Sequence, residues 1–109
     1  MNEIEVAWLA GLIEGEGCFT RTRSSPVFAL DMTDEDIVKK AAKLLGISKI
    51  SISRRDGCKD AYICKVYGNR ALEVMRLLFP FMGNRRQIKI TELLEWADAR
   101  PGIGHYKRG

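Results

Sequence analysis

At 109 residues, with 46% apolar and 29% charged side chains, the chain has the composition of a soluble globular protein and is long enough for one hydrophobic core but too short for two. Its net charge of +4 favours a polyanionic partner without naming one. The odd number of cysteines, Cys18, Cys58 and Cys64, lacks the paired spacing of a zinc site, and the Met-Asn-Glu-Ile-Glu start has no signal-peptide pattern, so the expectation is an intracellular protein with reduced thiols.

The first predicted element is a helix from residue 2 or 3 to residue 14. From Val6 to Ile13 every residue is apolar or Gly, with no polar stripe, which is how a helix reads when it is buried on nearly all sides. Ala7, Gly11 and Gly15 fall four apart on one face and leave a strip almost without side chains, where a second helix could bring its backbone close. Gly11 costs roughly 1 kcal/mol of helix propensity against Ala, so a partner should offset it. The apolar run is far shorter than the roughly 20 residues of a membrane span, which favours a soluble helix pair and no membrane role.

Glu14 and Glu16 stand at the negative pole of this helix, where a carboxylate is disfavoured by about 0.3 to 1 kcal/mol unless a cation lies close. Gly15 and Gly17 free the backbone to turn there, so that the Glu16 carboxylate and nearby carbonyls could converge on one point. Such oxygen donors suit a hard divalent cation such as Mg²⁺.

A strand follows over residues 18–23, broken by Ser24, Ser25 and Pro26, and a second over 27–32, in which Phe28, Leu30 and Met32 form the heavier face. Thr33-Asp34-Glu35-Asp36 reads as an N-cap, close to a capping box, opening a helix to Leu45 that Gly46 ends; Ile37, Ala41, Leu44 and Leu45 are its apolar face. Residues 49–55 alternate with period two, and Asp56-Gly57 is a hairpin turn signal leading to a strand over 61–67. Gly68-Asn69 caps a helix over 70–79, and Pro80 and Gly83 punctuate it. Asn84-Arg85-Arg86-Gln87 resembles another capping box and opens a last amphipathic helix to Arg100, with Ile88, Leu93, Leu94 and Trp96 as its buried positions. Pro101-Gly102 stops it, and residues 101–109 read as a basic flexible tail in which the lone His105 is no metal ligand.

The order α-β-β-α-β-β-α-α is an α+β plan: one domain over residues 1–100, with four antiparallel strands carrying helices on one face and leaving the other for a partner. Alternation in the second strand pair sends Ile50, Ile52, Tyr62, Cys64 and Val66 to the core and leaves Ser51, Ser53, Arg55, Ala61, Ile63 and Lys65 outward. In the first pair Thr20, Thr22, Ser24, Val27, Ala29 and Asp31 face out. Arg21 and Arg23 then fall on the helix side, where charge is not buried cheaply; either they emerge past a helix edge or a bulge shifts the strand.

Leu9-Ala10-Gly11-Leu12-Ile13-Glu14-Gly15-Glu16-Gly17 closely resembles the signature of the LAGLIDADG homing endonucleases, with Glu in place of each Asp and Gly in place of the Ala between them. The resemblance implies a homodimer, since single-motif members pair their signature helices, and here Ala7, Ala10, Gly11, Glu14 and Gly15 would form that contact. It implies intron-encoded, metal-dependent cleavage of both strands of a long, near-palindromic double-stranded DNA site, with Mg²⁺ as cofactor and Mn²⁺ or Ca²⁺ able to replace it for binding. Glu16 matches the metal-binding carboxylate, with the Gly15 carbonyl as a second ligand, while Glu14 matches a structural position. Members place a basic residue, usually Lys, near the start of the helix after the second strand pair; Arg85 and Arg86 are the candidates here, with Lys89 one turn on. The sheet would lie in the major groove, with Thr20, Arg21, Thr22, Arg23, Ser24, Val27, Ala29, Asp31, Ser51, Ser53, Arg55 and Lys65 facing DNA. A relative that binds nucleic acid without cutting, as a repressor or an intron RNA maturase, is the alternative.

Overall fold

The computed structural model describes residues 1–54 and 56–100; Arg55 and the segment 101–109 with His105 lie outside the described residues. The elements are α1 (Glu3–Glu16), β1 (Gly17–Arg21), β2 (Pro26–Met32), α2 (Glu35–Leu45), β3 (Ser51–Ser53), β4 (Ala61–Tyr67), α3 (Gly68–Leu78), a 3-10 turn (Phe79–Phe81) and α4 (Asn84–Ala99). Four helices and one four-stranded antiparallel sheet make the α+β order that the hydrophobic periods predict. In the sheet the strands run β1-β2-β4-β3, so β2 and β4 are central and α2 lies on the crossover between the two hairpins. Among the described residues no helix is long and apolar enough to cross a membrane.

The chain divides into two compact units, one of Met1–Gly17 with Ala29–Lys65, the other of Cys18–Phe28 with the chain from Val66 onward. In the first unit α1 opens on a capping box: the Glu5 amide donates to Asn2 Oδ1 at 2.8 Å and the Asn2 amide to Glu5 Oε1 at 2.9 Å. Glu3 and Glu5 also complement the positive end of the dipole. Leu9, Ala10 and Ile13 are buried, as their i, i+1, i+4 spacing on one face requires, while Ala7, Gly11 and Gly15 remain exposed. The helix is therefore buried on one side, and not on nearly all sides as its composition suggests.

Helix α2 packs against α1. Val38, Ala41 and Ala42 are its buried residues, with Ile37, Leu44 and Leu45 half-buried, so the buried stripe lies one position round from the expected one. The helix ends as a Schellman motif: Gly46 takes φ 73°, its amide donates to the Lys43 carbonyl at 3.1 Å, and Ile47 donates to the Ala42 carbonyl at 2.8 Å. Its start departs from the expected capping box, because Asp34 holds the N-cap position without a side-chain cap bond and instead accepts from the Thr33 hydroxyl at 3.3 Å.

In the second unit the Thr22 hydroxyl organises the β1–β2 turn, accepting from the amides of Ser24 at 3.2 Å and Ser25 at 3.0 Å. Ser25 Oγ in turn accepts the Gly68 amide at 2.9 Å, which fixes the start of α3 where Gly68 takes φ 66°. Helix α3 buries Ala71, Leu72, Val74, Met75 and Leu78; α4 buries Ile90, Leu93 and Ala97. Leu94 and Trp96 are half-buried and Ile88 is exposed, because Ile88 lies two residues, about 200°, round the helix from Ile90. Asn84 lies inside α4 and Gly83 takes the N-cap without a side-chain bond; the Gln87 side chain donates from Nε2 to the Phe79 carbonyl at 2.9 Å, tying α4 to the 3-10 turn.

Candidate functional site: an acidic helix end and a nucleic-acid interface

Helix α1 runs two residues past the predicted end, so that Glu16 is its last residue and Gly17 its C-cap. Gly17 is extended, at φ −78° and ψ 167°, and its amide donates to the Ile13 carbonyl. The expected use of glycine freedom to turn out of the helix is not found; the requirement for Gly at this position is steric. A Cβ on Gly17 would lie 2.6 Å from Ile13 Cγ2, shorter than real Cβ contacts, and 3.0 Å from the Ile13 carbonyl oxygen, tighter than nearly all of them. Gly11 and Gly15 are the opposite case, since a Cβ on either meets nothing within 4 Å. Among the described residues no neighbour demands glycine at these two positions.

Glu16 is exposed at this helix end, and Glu14, two residues back, is half-buried. The last carbonyls of the helix cluster at this end, as at any helix C-terminus. A carboxylate, neighbouring carbonyl oxygens and the negative pole of a dipole form a donor set that fits a hard cation. Among the described residues no cluster of three His, Cys, Asp or Glu side chains could hold a metal. Of the expected helix-pair residues, Ala7, Gly11 and Gly15 are accessible; Ala10, at 6% exposure, is spent on the core of its own unit.

In the first unit, β3 and β4 pair Ser51 with Ile63, Ile52 with Tyr62 and Ser53 with Ala61. Directly opposed residues share a face, so Ser51, Ser53, Ala61, Ile63 and Lys65 line one side and Ile52, Tyr62 and Cys64 the other, as the alternation predicts. Burial departs from that pattern at two positions. Ile52 is 45% exposed because β3 is a three-residue edge strand, whereas Ala61, on the polar face, is 4% exposed, a methyl flanked by neighbouring strands in the sheet interior. Ser51 and Lys65 are exposed and Ser53 half-buried. Arg54 bonds Asp60 across the hairpin at 2.6 Å.

In the second unit, Phe19 and Arg21 share one side of β1, with Phe19 buried and 5.8 Å from Phe28 between ring centroids. Arg21 does fall on the helix side and emerges there: its guanidinium stacks over the Trp96 ring at 4.4 Å, and Nη1 donates to the Thr22 carbonyl at 3.3 Å. Arg100 lies over the same ring at 4.9 Å. Arg23 and Ser24 are exposed, Thr20 half-buried, and Thr22 is engaged in its turn. Along β2, Asp31 is exposed and Ala29 half-buried, but Val27, expected on the open side, is 4% exposed because β2 is a central strand flanked on both edges. Arg85 and Lys89 are exposed on α4, and Arg86 is half-buried with its guanidinium 5.8 Å from the Phe19 ring.

Two features escape the sequence reading. Trp8 carries Lys40 at 4.1 Å over its ring, and Trp96, expected in the core, is a stacking platform for two guanidiniums. The i, i+4 spacing of Trp96 and Arg100 is a usable signal for one of those contacts; the approach of Arg21 is set by tertiary structure alone.

No protein-family model matches the chain, and no curated protein matches it. Solved structures do. The homing endonuclease I-TnaI is 17% identical with a TM-score of 0.63, over 83% of this chain and 69% of its own. The archaeal intron-encoded homing endonuclease I-Vdi141I, complexed with DNA, is 21% identical with a TM-score of 0.61, over 77% of this chain and 61% of its own. The homing endonuclease I-CvuI, in complex with the I-CreI target in the presence of Mg, is 21% identical with a TM-score of 0.58, over 78% of this chain and 60% of its own. The likeness shows a shared fold, and the chain spans about 60% of the length of I-CvuI and I-Vdi141I.

Proposed function

We propose that this chain is a divalent-metal-dependent, site-specific DNA endonuclease that acts as a homodimer on a near-palindromic duplex. The observation that carries the reading is the conjunction at α1: Gly11 and Gly15 face open space while Glu16 stands exposed at the end of the same helix. Glycine inside a helix costs about 0.5 to 1 kcal/mol against Ala, and a second copy of α1 laid along the strip offsets that cost. The two-fold contact of identical helices is isologous, so it also brings two Glu16 carboxylates to one axis. The fold shared with homing endonucleases, two of them complexed with DNA, and the nine-residue signature support the same conclusion.

Phosphodiester hydrolysis needs a nucleophilic water, stabilisation of charge at phosphorus and help for the departing 3′ oxygen, all of which a bound divalent cation supplies. Glu16 would be its principal protein ligand, with the Gly15 carbonyl as the second. Arg85 and Arg86, in the first turn of α4, are assigned to charge stabilisation on the phosphate. Ser51, Ser53, Lys65, Thr20, Ala29 and Asp31 are assigned to the duplex, Arg23 and Ser24 to its backbone at the hairpin turn; Val27 is too buried for a direct contact and supports the strand from beneath.

Glu16→Gln tests the assignment. With a cognate duplex and Mg²⁺ the variant binds with the parent's affinity and cleaves at least about a hundredfold more slowly, the scale on which loss of one charge-bearing catalytic group acts. Cleavage at the parental rate removes Glu16 from the mechanism; a parent that binds tightly and never cleaves supports the non-cutting alternative.

A further inference from the structure

Arg21 and Arg100 approach a single indole ring, Trp96, at 4.4 and 4.9 Å, from the end of β1 and the C-cap of α4. Both arginines are exposed and Trp96 is half-buried, so the ring is a partly buried surface on which two exposed guanidiniums rest. A guanidinium that stacks uses its π face and keeps its N–H donors in the plane, directed away from the ring. For Arg21 one of those donors is engaged by the Thr22 carbonyl at 3.3 Å, a second contact beside the ring. Arg23, exposed on the adjoining turn, adds a third cation to the same neighbourhood of the chain. Two planar, pre-ordered forks with in-plane donors are suited to non-bridging phosphate oxygens, which a guanidinium binds in bidentate fashion.

We propose that Trp96 is a positioning residue that holds Arg21 and Arg100 as a paired clamp on the DNA backbone. The proposal rests on the DNA-binding reading above and adds to it the device that orders these arginines before contact. The clamp touches phosphates and carries no sequence information, so it acts on every duplex alike. The competing account is that the arginines merely complement the negative end of the α4 dipole, which predicts an effect on folding and none on DNA.

The probe is a fluorescein-labelled duplex of random sequence about 30 base pairs long, titrated with the full chain over a range of salt concentrations without divalent metal, so that binding is read without cleavage. Each phosphate neutralised contributes about 0.9 to the slope of log affinity against log salt. Arg21→Gln is expected to flatten that slope by about one contact, and Trp96→Leu to weaken binding roughly five- to thirtyfold at low salt. Trp96→Phe keeps an aromatic face and restores most of the affinity, and Arg21→Gln in the Trp96→Leu background adds less than it does alone. Thermal melts of each variant separate folding from binding, and Arg21→Gln, at an exposed site, keeps the test valid if Trp96→Leu does not fold. A parent that binds with a steep salt slope while Arg21→Gln and Trp96→Leu bind like it overturns the clamp and leaves the DNA-binding reading intact. A parent that does not bind the duplex, or binds it independently of salt, overturns both.

Discussion

Gly17 and Gly15 are neighbours in one motif, yet their glycines answer to different constraints. At Gly17 a single methyl would strike Ile13 in the chain's own helix, so Gly17→Ala is expected to destabilise the fold by about 1 to 3 kcal/mol, the usual scale of overpacking, as read by denaturant unfolding. At Gly11 the same change meets empty space, so Gly11→Ala should stabilise the dissociated chain by about 0.5 to 1 kcal/mol while weakening its self-association. Equal effects of the two substitutions in dilute solution would show that the open strip has no special role. The motif's residue types announce that glycine is required; they do not say which one is held by the chain and which by a partner, because that depends on where Ile13 and the solvent lie.

Among the elements, α1 and α2 show how far pattern carries. The left-handed Gly46 stop is local chemistry and is legible in the sequence, whereas the Asn2–Glu5 capping box, equally local, goes unread there beyond a helix start at residue 2 or 3; Asn2→Ala should cost about 1 kcal/mol in an unfolding titration. The overlooked extension of α1 to Glu16 arises because Gly17 donates to Ile13 from an extended conformation, a continuation that no single residue signals. The same limit applies to Val27 and Ala61: alternation assigns a face correctly, but burial on that face depends on whether the strand is central or at an edge, and strand order is a tertiary property. On α2, the Glu35 carboxylate, bonded to Lys39 at 2.7 Å, raises the Lys39 ammonium above the ordinary lysine value. A raised folded-state value means the pair's contribution is fully present at neutral pH and is lost only as pH climbs through that value. Glu35→Gln should therefore narrow the difference in melting temperature from the parent only in strongly alkaline buffer, and a difference that vanished between pH 6 and 8 would contradict the assignment.

For the whole molecule, the order of elements follows from hydrophobic period and turn chemistry, and the fold so predicted is the one shared with homing endonucleases. The candidate site is legible in part: Glu16 and the small-residue strip stand out in the sequence, whereas the Arg21–Trp96–Arg100 stack depends on residues 75 and 79 positions apart coming together and on a ring that composition alone sends to the core. A dimer built on the strip predicts that sedimentation equilibrium gives twice the 12.3 kDa chain mass, and that Gly11→Leu returns the monomer with its helical circular dichroism intact. A parent that remains monomeric at micromolar concentration on DNA would rule out paired helices.

Selection of cleaved sequences from a randomised duplex library in Mg²⁺ bears most directly on the central claim, because it reads chemistry and symmetry together. The parent should return one near-palindromic site cut on both strands, and Glu16→Gln should return none. An asymmetric site, or the same site recovered with both proteins, would contradict a two-fold enzyme whose acid is Glu16.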